Sequence, residues 1–158
     1  GIQNTFNIHN FTFSFFFNYS IGGKIYNVAE LWMGNGSPYT NQYKYMQNSW
    51  HPVRNPNSNL PMAGSYDALP SDRLVHDASY PRLKNISASY TFDMRKVTKN
   101  RLRDIRVSVS GENLYLWKKY NGFDPDVSTS SSNSALRRVD IGAYPKPRTI
   151  IFSLQIRY

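Results

Sequence analysis

The chain has 158 residues, no cysteine and a formal net charge of +9. Its length is sufficient for a domain with a core of its own, and the lack of cysteine excludes disulfides and thiolate metal sites. The sequence has no apolar run long enough for a transmembrane helix and no signal peptide, and its start at Gly1 rather than Met predicts a processed or truncated chain.

The composition predicts an all-β protein. It includes 12 Tyr, 9 Phe and 3 Trp but only 18% charged residues. Aromatic side chains suit strands and the abundant Asn and Ser suit turns, whereas no long stretch has the period of an amphipathic helix. The basic surplus raises the question of nucleic acid. Because many of the basic residues fall in residues 95–106 and no nucleic-acid motif is present, no nucleic-acid binding is expected.

Two strands joined by a tight turn open the chain. Residues 2–8 alternate between apolar and polar side chains, and His9-Asn10 is expected to form the turn. Residues 11–21 form the clearest strand, and about 11 residues is also the length with which a tilted strand crosses a bilayer. One face of this strand is wholly apolar and consists of Phe11, Phe13, Phe15, Phe17, Tyr19 and Ile21.

Three further strands are expected in the second half. Residues 82–92 and 104–117 alternate in the same way, and the slip in alternation at 111–114 predicts a bulge. The last strand, 148–158, has one apolar face that consists of Ile150, Phe152, Leu154, Ile156 and Tyr158. Such alternation suits a strand over a soluble core, and it equally suits a barrel strand whose apolar face meets lipid.

The lengths of the connections favour the membrane. Residues 22–81 and 118–147 are rich in Pro, Asn, Ser or Gly and are expected to be long irregular loops, with one short helix around 39–48. The two short connections then lie at one end of the strands and the two long loops at the other. Outer-membrane barrels have this arrangement, with short periplasmic turns and long extracellular loops. We therefore expect antiparallel transmembrane β-barrel strands. The apolar faces of the strands at 11–21 and 148–158 are expected to point toward lipid.

Several segments carry a family resemblance. They are DRLVHDASYPRLKNI at 72–86, VSVSGENLYLW at 107–117, YNGFDPDVS at 120–128 and GAYPKPRT at 142–149, with a looser match of FFFNYSIGGKIYN at 15–27. In this order and spacing the chain resembles the carboxy-terminal end of the SusC/RagA-like TonB-dependent outer-membrane transporters of Bacteroidetes.

The resemblance implies a barrel of 22 strands closed by an amino-terminal plug, of which this chain would supply roughly the last five strands. Five strands cannot close a barrel and leave two open edges, so the chain is expected to be a fragment or one of several chains that complete a barrel. The resemblance also implies import of oligosaccharides or peptides together with a SusD-like surface lipoprotein. Energy would come from TonB acting on the missing plug, and no catalysis or cofactor is implied.

Two other interpretations stay open. The first is a soluble glycan-binding β-sandwich that uses the same alternation around a closed core. The second is a purely structural piece without activity of its own. Solubility without detergent distinguishes the sandwich, and the presence of the remaining barrel in the same sample distinguishes the structural piece.

Aromatic residues of the first long loop are the candidates for contact with a substrate or a partner. Aromatic faces stack on sugars and anchor partner proteins, although packing within the loop is their more usual role. The candidates are Trp32, Tyr39, Tyr43, Tyr45 and Trp50.

Polar candidates are fewer. Asp124 and Asp126 form a weak calcium candidate because calcium takes oxygen ligands, but two carboxylates around a proline more often form a turn. The basic connection at 95–103 is expected at the periplasmic rim, beside lipid head groups. The sequence has no catalytic constellation and no metal-binding spacing of its histidines. The residues expected to face the barrel lumen or plug are Arg106, Glu112, Gln155 and Arg157.

Overall fold

The structure is a computed structural model that describes residues 1–37, 39–64, 69–99, 101–127 and 138–158. The chain divides into two compact units. The sheet unit consists of Gly1–Ile21, Tyr80–Lys118 and Lys146–Tyr158, and the loop unit of the described parts of Gly22–Ser79 and Lys119–Pro145. Residues 128–137, in the second predicted loop, lie outside the described residues.

Strands predominate among the described residues, which confirms the predicted all-β class. The strands are β1 (Ile2–Ile8), β2 (Phe11–Ser20), β3 (Lys24–Asn27), β4 (Val75–Asp77), β5 (Tyr80–Asp93), β6 (Asp104–Leu116), β7 (Val139–Asp140) and β8 (Thr149–Arg157). One short α-helix, α1 (Val28–Met33), and 3-10 turns at Lys44–Asn48 and Asp72–Leu74 complete the regular structure. No helix in the described part of the chain is long and apolar enough to cross a membrane.

The sheet unit is one layer of five strands in the order β1-β2-β5-β6-β8, with all neighbours antiparallel. The expected turn between β1 and β2 is confirmed, and His9 adopts a φ of 52° in it. The expected bulge is also confirmed, since Leu83 pairs with Tyr115 but Asn85 pairs with Glu112. Two residues of β6 therefore oppose the single residue Lys84 on β5.

The two ends of the sheet differ in the connections that leave them. At one end lie the β1–β2 turn, the connection from β5 to β6 and the end of β8, because Asp93 pairs with Asp104 and Asp104 with Arg157. At the other end β2 finishes beside the start of β5, where Ser20 pairs with Tyr80. Both long segments of the chain leave from that second end, as the connection lengths predict.

The loop unit corrects the expectation of irregular loops. Its strands form a three-stranded sheet in the order β4-β3-β7, with β3 antiparallel to β4 and parallel to β7. The short helix expected around 39–48 is present only as a 3-10 helix at Lys44–Asn48, and the α-helix α1 lies earlier in the chain. The Asn27 side chain accepts a hydrogen bond from the backbone N–H of Glu30 and so caps α1.

A small core of its own holds the loop unit together. Its buried apolar residues come from segments that are distant in sequence, so tertiary packing rather than local preference fixes the short strands. They are Ile25, Met46, Leu74, Ala78 and Tyr120.

Candidate functional site

One face of the five-stranded sheet is apolar from edge to edge, with Asn4 on β1 as a polar exception. The strand register aligns complete cross-strand rows, of which the first is Ile8–Phe11–Tyr90–Val107–Leu154. The next row is Phe6–Phe13–Ala88–Val109–Phe152. No second layer covers this face among the described residues, and Phe152 is 80% exposed. A sheet in water does not leave so large an apolar surface open unless something else covers it.

Aromatic rings form a continuous chain across this apolar face. Phe13 lies between Phe6 and Phe15, with ring centroids 6.4 and 6.2 Å away. Phe17 continues the chain, 5.9 Å from Phe15 and 6.0 Å from Trp117. These separations are those of favourable ring pairs, and the chain links β1, β2 and the end of β6.

The opposite face carries hydroxyl and amide groups in equally complete rows. One row is Asn7–Thr12–Ser89–Ser108–Ser153, and the row beside it begins Thr5–Ser14–Ser87–Ser110. Ser14 Oγ and Ser87 Oγ are hydrogen-bonded at 2.7 Å. Only Phe16 and Ile151 interrupt the polar pattern in the middle of this face.

Charged side chains of the polar face are tied to the sheet. Arg106 Nη2 donates a hydrogen bond of 2.8 Å to Ser89 Oγ. Arg157 Nε donates a hydrogen bond of 2.7 Å to Asp104 Oδ1. Asp104 is buried. Arg106 and Arg157 are therefore held on this face by hydrogen bonds.

A buried carboxylate organises the loop unit. Glu30, on α1, is only 9% exposed and accepts a hydrogen bond of 3.0 Å from the Tyr45 hydroxyl. Its other oxygen lies 2.6 Å from His76 Nε2, and Arg73 Nη1 lies at 4.0 Å. Buried carboxylates need such partners because an uncompensated charge in the interior is costly.

A second buried carboxylate, Asp140 on β7, lies in the same unit. It accepts a hydrogen bond of 2.7 Å from the Tyr120 hydroxyl and further bonds from the backbone N–H groups of Gly142 and Ala143. The Tyr120 ring lies 5.7 Å from the His76 ring, which connects the two carboxylates through aromatic contact. The pair of clusters joins α1, β4 and β7.

The tyrosines of these clusters have raised pKa values. Burial, followed by the hydrogen bond to Glu30, raises the pKa of Tyr45 to about 12. Burial and the nearby Glu30 also raise the pKa of Tyr43, and burial with the Asp140 hydrogen bond raises that of Tyr120 strongly. The raised pKa values keep these hydroxyls protonated well above neutral pH, and those of Tyr45 and Tyr120 donate hydrogen bonds to Glu30 and Asp140.

An open cavity of about 510 Å³ lies within the loop unit. Its lining is largely apolar, with Trp50 and Arg73 as the members that carry aromatic and charged groups. The Trp50 indole N–H donates to the backbone oxygen of Pro56, which fixes its ring at the cavity. The other lining residues are Leu31, Asn35, Ser58, Asn59, Leu60, Pro61, Met62, Leu69 and Ser71.

Comparisons with known proteins agree with this geometry. The chain is 33% identical over 162 residues to the TonB-dependent receptor P3 of Formosa agariphila. It is 24% identical over 159 residues to the TonB-dependent receptor SusC of Bacteroides thetaiotaomicron. Both alignments include 100% of this chain, which spans only about 15–16% of each relative. No family model matches the chain.

A solved structure has the same fold. The structure of the RagAB peptide transporter superposes with a TM-score of 0.78 over 94% of this chain and 16% of that chain, at 24% sequence identity. The resemblance seen in the sequence is therefore confirmed by sequence similarity along the whole of this chain and by the shared fold. This chain is a homologue of the SusC/RagA-like TonB-dependent transporters. We assign it to the bacterial outer membrane, where SusC and RagA are located.

In this homologue of SusC, the structure gathers the two predicted sets of sheet residues on opposite faces. The set expected to meet lipid shares the parity of the apolar face: Phe11, Phe13, Phe15, Phe17, Ile150, Phe152, Leu154, Ile156 and Tyr158. The set expected to face the lumen lies on the polar face: Arg106, Glu112, Gln155 and Arg157.

The five loop aromatics do not form one site. Tyr43 and Tyr45 stack at 5.5 Å beside the Glu30 cluster, which is packing within the loop unit. Trp50 lines the cavity, whereas Trp32 and Tyr39 are exposed.

The two residues of the calcium candidate, Asp124 and Asp126, lie in different environments. Asp124 is buried and accepts a hydrogen bond from the backbone N–H of Asp126, whose side chain is exposed. This is the turn that two such residues around Pro125 form by themselves. Across the described ranges no group of three or more acidic, His or Cys side chains is arranged to hold a metal ion.

Sequence reasoning missed the residues that organise the loop unit. Glu30 and Asp140 lie far in sequence from Arg73 and His76, and the resemblance of residues 72–86 gave no role to Arg73 or His76. One local signal was present, because Asn27 followed three residues later by Glu30 is a helix-start signature. It locates α1 and its capping residue, but it does not indicate that Glu30 is buried.

Proposed function

We propose that this chain is part of the wall of a TonB-dependent outer-membrane transporter that imports oligosaccharides or peptides together with a SusD-like surface lipoprotein. The observation that carries the proposal is the sheet with one continuous apolar face and one continuous polar face. The similarity of the whole of this chain to parts of two TonB-dependent receptors supports the proposal. The names of these relatives and of the matching solved structure describe receptors and a transporter, not enzymes.

In this proposal the five strands are roughly the last five of a closed barrel of 22. β1 and β8 are the edges of the sheet, and their outer backbone groups would pair with strands of the remaining barrel. The apolar face meets lipid, and the polar face meets the lumen and the plug. The end of the sheet with the short connections is periplasmic, and TonB acts through the plug.

The loop unit then belongs to the outer side, where a lipoprotein partner and substrates arrive. Trp32 and Tyr39 are exposed and are the proposed contacts with the partner, because exposed aromatic residues often anchor protein interfaces. Trp50 at the apolar cavity is the proposed contact with substrate. Uptake of labelled oligosaccharides and peptides by the full-length transporter distinguishes the two substrate classes.

A soluble sandwich requires a second sheet over the apolar face. Within the described residues this face has none, and its aliphatic side chains are largely exposed, among them Ile150 at 64%. No observation therefore favours the sandwich over the barrel wall.

Matched substitutions on neighbouring residues of β8 test the proposal in the full-length transporter. Leu154→Arg places a charge on the apolar face, which costs about 2–4 kcal/mol near the middle of the bilayer, whereas Ser153→Arg places it on the polar face. We expect the amount of folded, heat-modifiable protein in the outer membrane to fall sharply for Leu154→Arg only. Equal assembly of the two variants would contradict the proposed orientation.

A further inference from the structure

We infer that the connection between β5 and β6 is a binding surface for the anionic head groups of membrane phospholipids. The surface consists of Lys96, Val97, Lys99 and Arg101, and it is called the basic turn below. The inference rests on the proposed function, because it needs the sheet to stand in a bilayer.

The basic turn is a built structure rather than a loose segment. The Thr98 hydroxyl donates a hydrogen bond to the backbone oxygen of Met94 and accepts one from the backbone N–H of Leu102. Backbone bonds from Met94 to Arg103 and from Arg103 to Arg157 close the turn onto β8. The charges on the turn are therefore held at one end of the sheet.

The two carboxylates at this end are already matched by arginines. Asp93 accepts hydrogen bonds from the Arg95 guanidinium, the shortest at 2.7 Å. Asp104 accepts one from Arg157.

The remaining cations are exposed and have no such match. Lys96, Lys99 and Arg101 are in no ion pair within 4.0 Å among the residues that the structure describes. They form a surplus of positive charge that is complementary to an anionic surface.

Apolar groups accompany this charge. Val97 lies within the basic turn and is 75% exposed. Phe92, on the apolar face at the same sheet end, packs against Tyr90 with ring centroids 4.6 Å apart. Exposed apolar and aromatic groups beside lysine and arginine are the combination that anchors a protein at the boundary between acyl chains and head groups. This combination favours a phospholipid over an acidic protein as the occupant.

The test uses the full-length transporter in vesicles of phosphatidylethanolamine and phosphatidylglycerol. Electron spin resonance of spin-labelled phosphatidylglycerol and phosphatidylcholine measures the preference of the protein for the anionic lipid. The variant K96Q/K99Q/R101Q removes the three charges, and the control K24Q/K44Q/R54Q removes three exposed charges from the loop unit. A third variant, K96R/K99R/R101K, keeps all charges.

We expect K96Q/K99Q/R101Q to lower the preference for phosphatidylglycerol by about fivefold per charge, on the order of 100-fold in total. The control and the charge-keeping variant should retain the preference, and salt near 1 M should abolish it by screening. An unchanged preference in the triple variant would overturn the inference. Loss of transport with unchanged lipid preference would also overturn it, since that result indicates a protein partner at the basic turn.

Assembly is measured first on the same samples. If the unsubstituted transporter fails to insert as a heat-modifiable barrel, the proposed function itself fails. If it inserts and the triple variant binds lipid like the control, only the lipid inference fails. If the triple variant alone does not assemble, the lipid preference of K96R/K99R/R101K and of the unsubstituted protein is compared at low and high salt. A preference for phosphatidylglycerol that does not respond to salt would contradict the inference.

Discussion

The sheet unit and the loop unit distribute polar and apolar groups in opposite ways. In the sheet unit the apolar side chains are exposed on one face, while hydroxyls and charges are hydrogen-bonded on the other. In the loop unit Ile25 and Leu74 are fully buried, and the charged groups Glu30 and Asp140 are buried with them. One chain thus follows two different rules for what is hidden from solvent.

The difference teaches which unit needs a surrounding medium. The loop unit buries its own apolar residues and compensates its own buried charges, so its interior is of the kind that folds in water. The sheet unit has no second layer in its described part and two edge strands without an outer neighbour. In the proposed function its stability comes from lipid and from the remaining strands of a barrel.

The largest contrast is expected from the same substitution in the two units. Ile25→Ala should destabilise the loop unit by about 2–5 kcal/mol, because Ile25 is completely buried and its removal leaves a cavity. Ile150→Ala should cost less than about 1 kcal/mol, because lipid chains refill the space beside an exposed side chain.

Hydrogen exchange measured by mass spectrometry on the membrane-inserted transporter checks this contrast. Peptides that carry the amides of Tyr26 and Ala78 report on the loop unit, since both amides are bonded to backbone oxygens within it. Equal acceleration of exchange by the two substitutions would remove the distinction between the units.

A smaller effect is expected when a buried carboxylate is removed. Asp140→Ala should cost the loop unit about 1–3 kcal/mol, because the Tyr120 hydroxyl and the amide of Gly142 lose their acceptor. The exposed Asp72 is the control, and Asp72→Ala should change exchange little. Similar protection in both variants would mean that Asp140 does not hold the loop unit together.

Alkaline pH should weaken the loop unit while the sheet stays intact. The pKa of Tyr45 is raised from 10.0 to about 12 in the folded state, so between these values the unfolded state binds fewer protons and stability falls as pH rises. Tyr45→Phe should flatten part of this fall, whereas Tyr39→Phe should not. Exchange rates of loop-unit peptides measured from pH 9 to pH 12, corrected for intrinsic exchange, provide the test. Identical slopes in both variants would contradict it.

The smallest effect is expected on the polar face of the sheet. Ser14 and Ser87 share one hydrogen bond, and replacing both with Ala should reveal a coupling of about 0.2–1 kcal/mol. A double-mutant cycle on the urea-induced unfolding of the reconstituted barrel measures it. A coupling indistinguishable from zero would mean that the hydroxyl rows serve water or substrate rather than the sheet.

The strands of the sheet unit could be predicted from the sequence because the pattern that defines them is local. A two-residue period assigns each side chain to a face without knowledge of the partner strand, and His9-Asn10 and residues 111–114 mark where the period breaks. The register that aligns β1 to β8 into complete rows was not predicted, since it depends on pairings between distant segments.

The structure of the loop unit could not be predicted from the sequence because long-range contacts define it. Its strands are only 4, 3 and 2 residues long, and no period can be read from such lengths. Long-range contacts define them, such as the backbone bond from Tyr26 to Arg138. An acidic residue is normally exposed, so nothing in the sequence indicated that Glu30 would become a buried centre for Tyr45 and His76.

The most direct test of the central claim is the environment of successive residues along β8. Because this chain contains no cysteine, single cysteines introduced at 150 to 156 in a transporter otherwise free of cysteine can each carry one nitroxide label. The account predicts high accessibility to oxygen, which concentrates in lipid, at 150, 152, 154 and 156. It predicts high accessibility to a water-soluble nickel chelate at 153 and 155. Absence of this two-residue alternation, or its reversal, would contradict the claim that the apolar face of the sheet meets lipid.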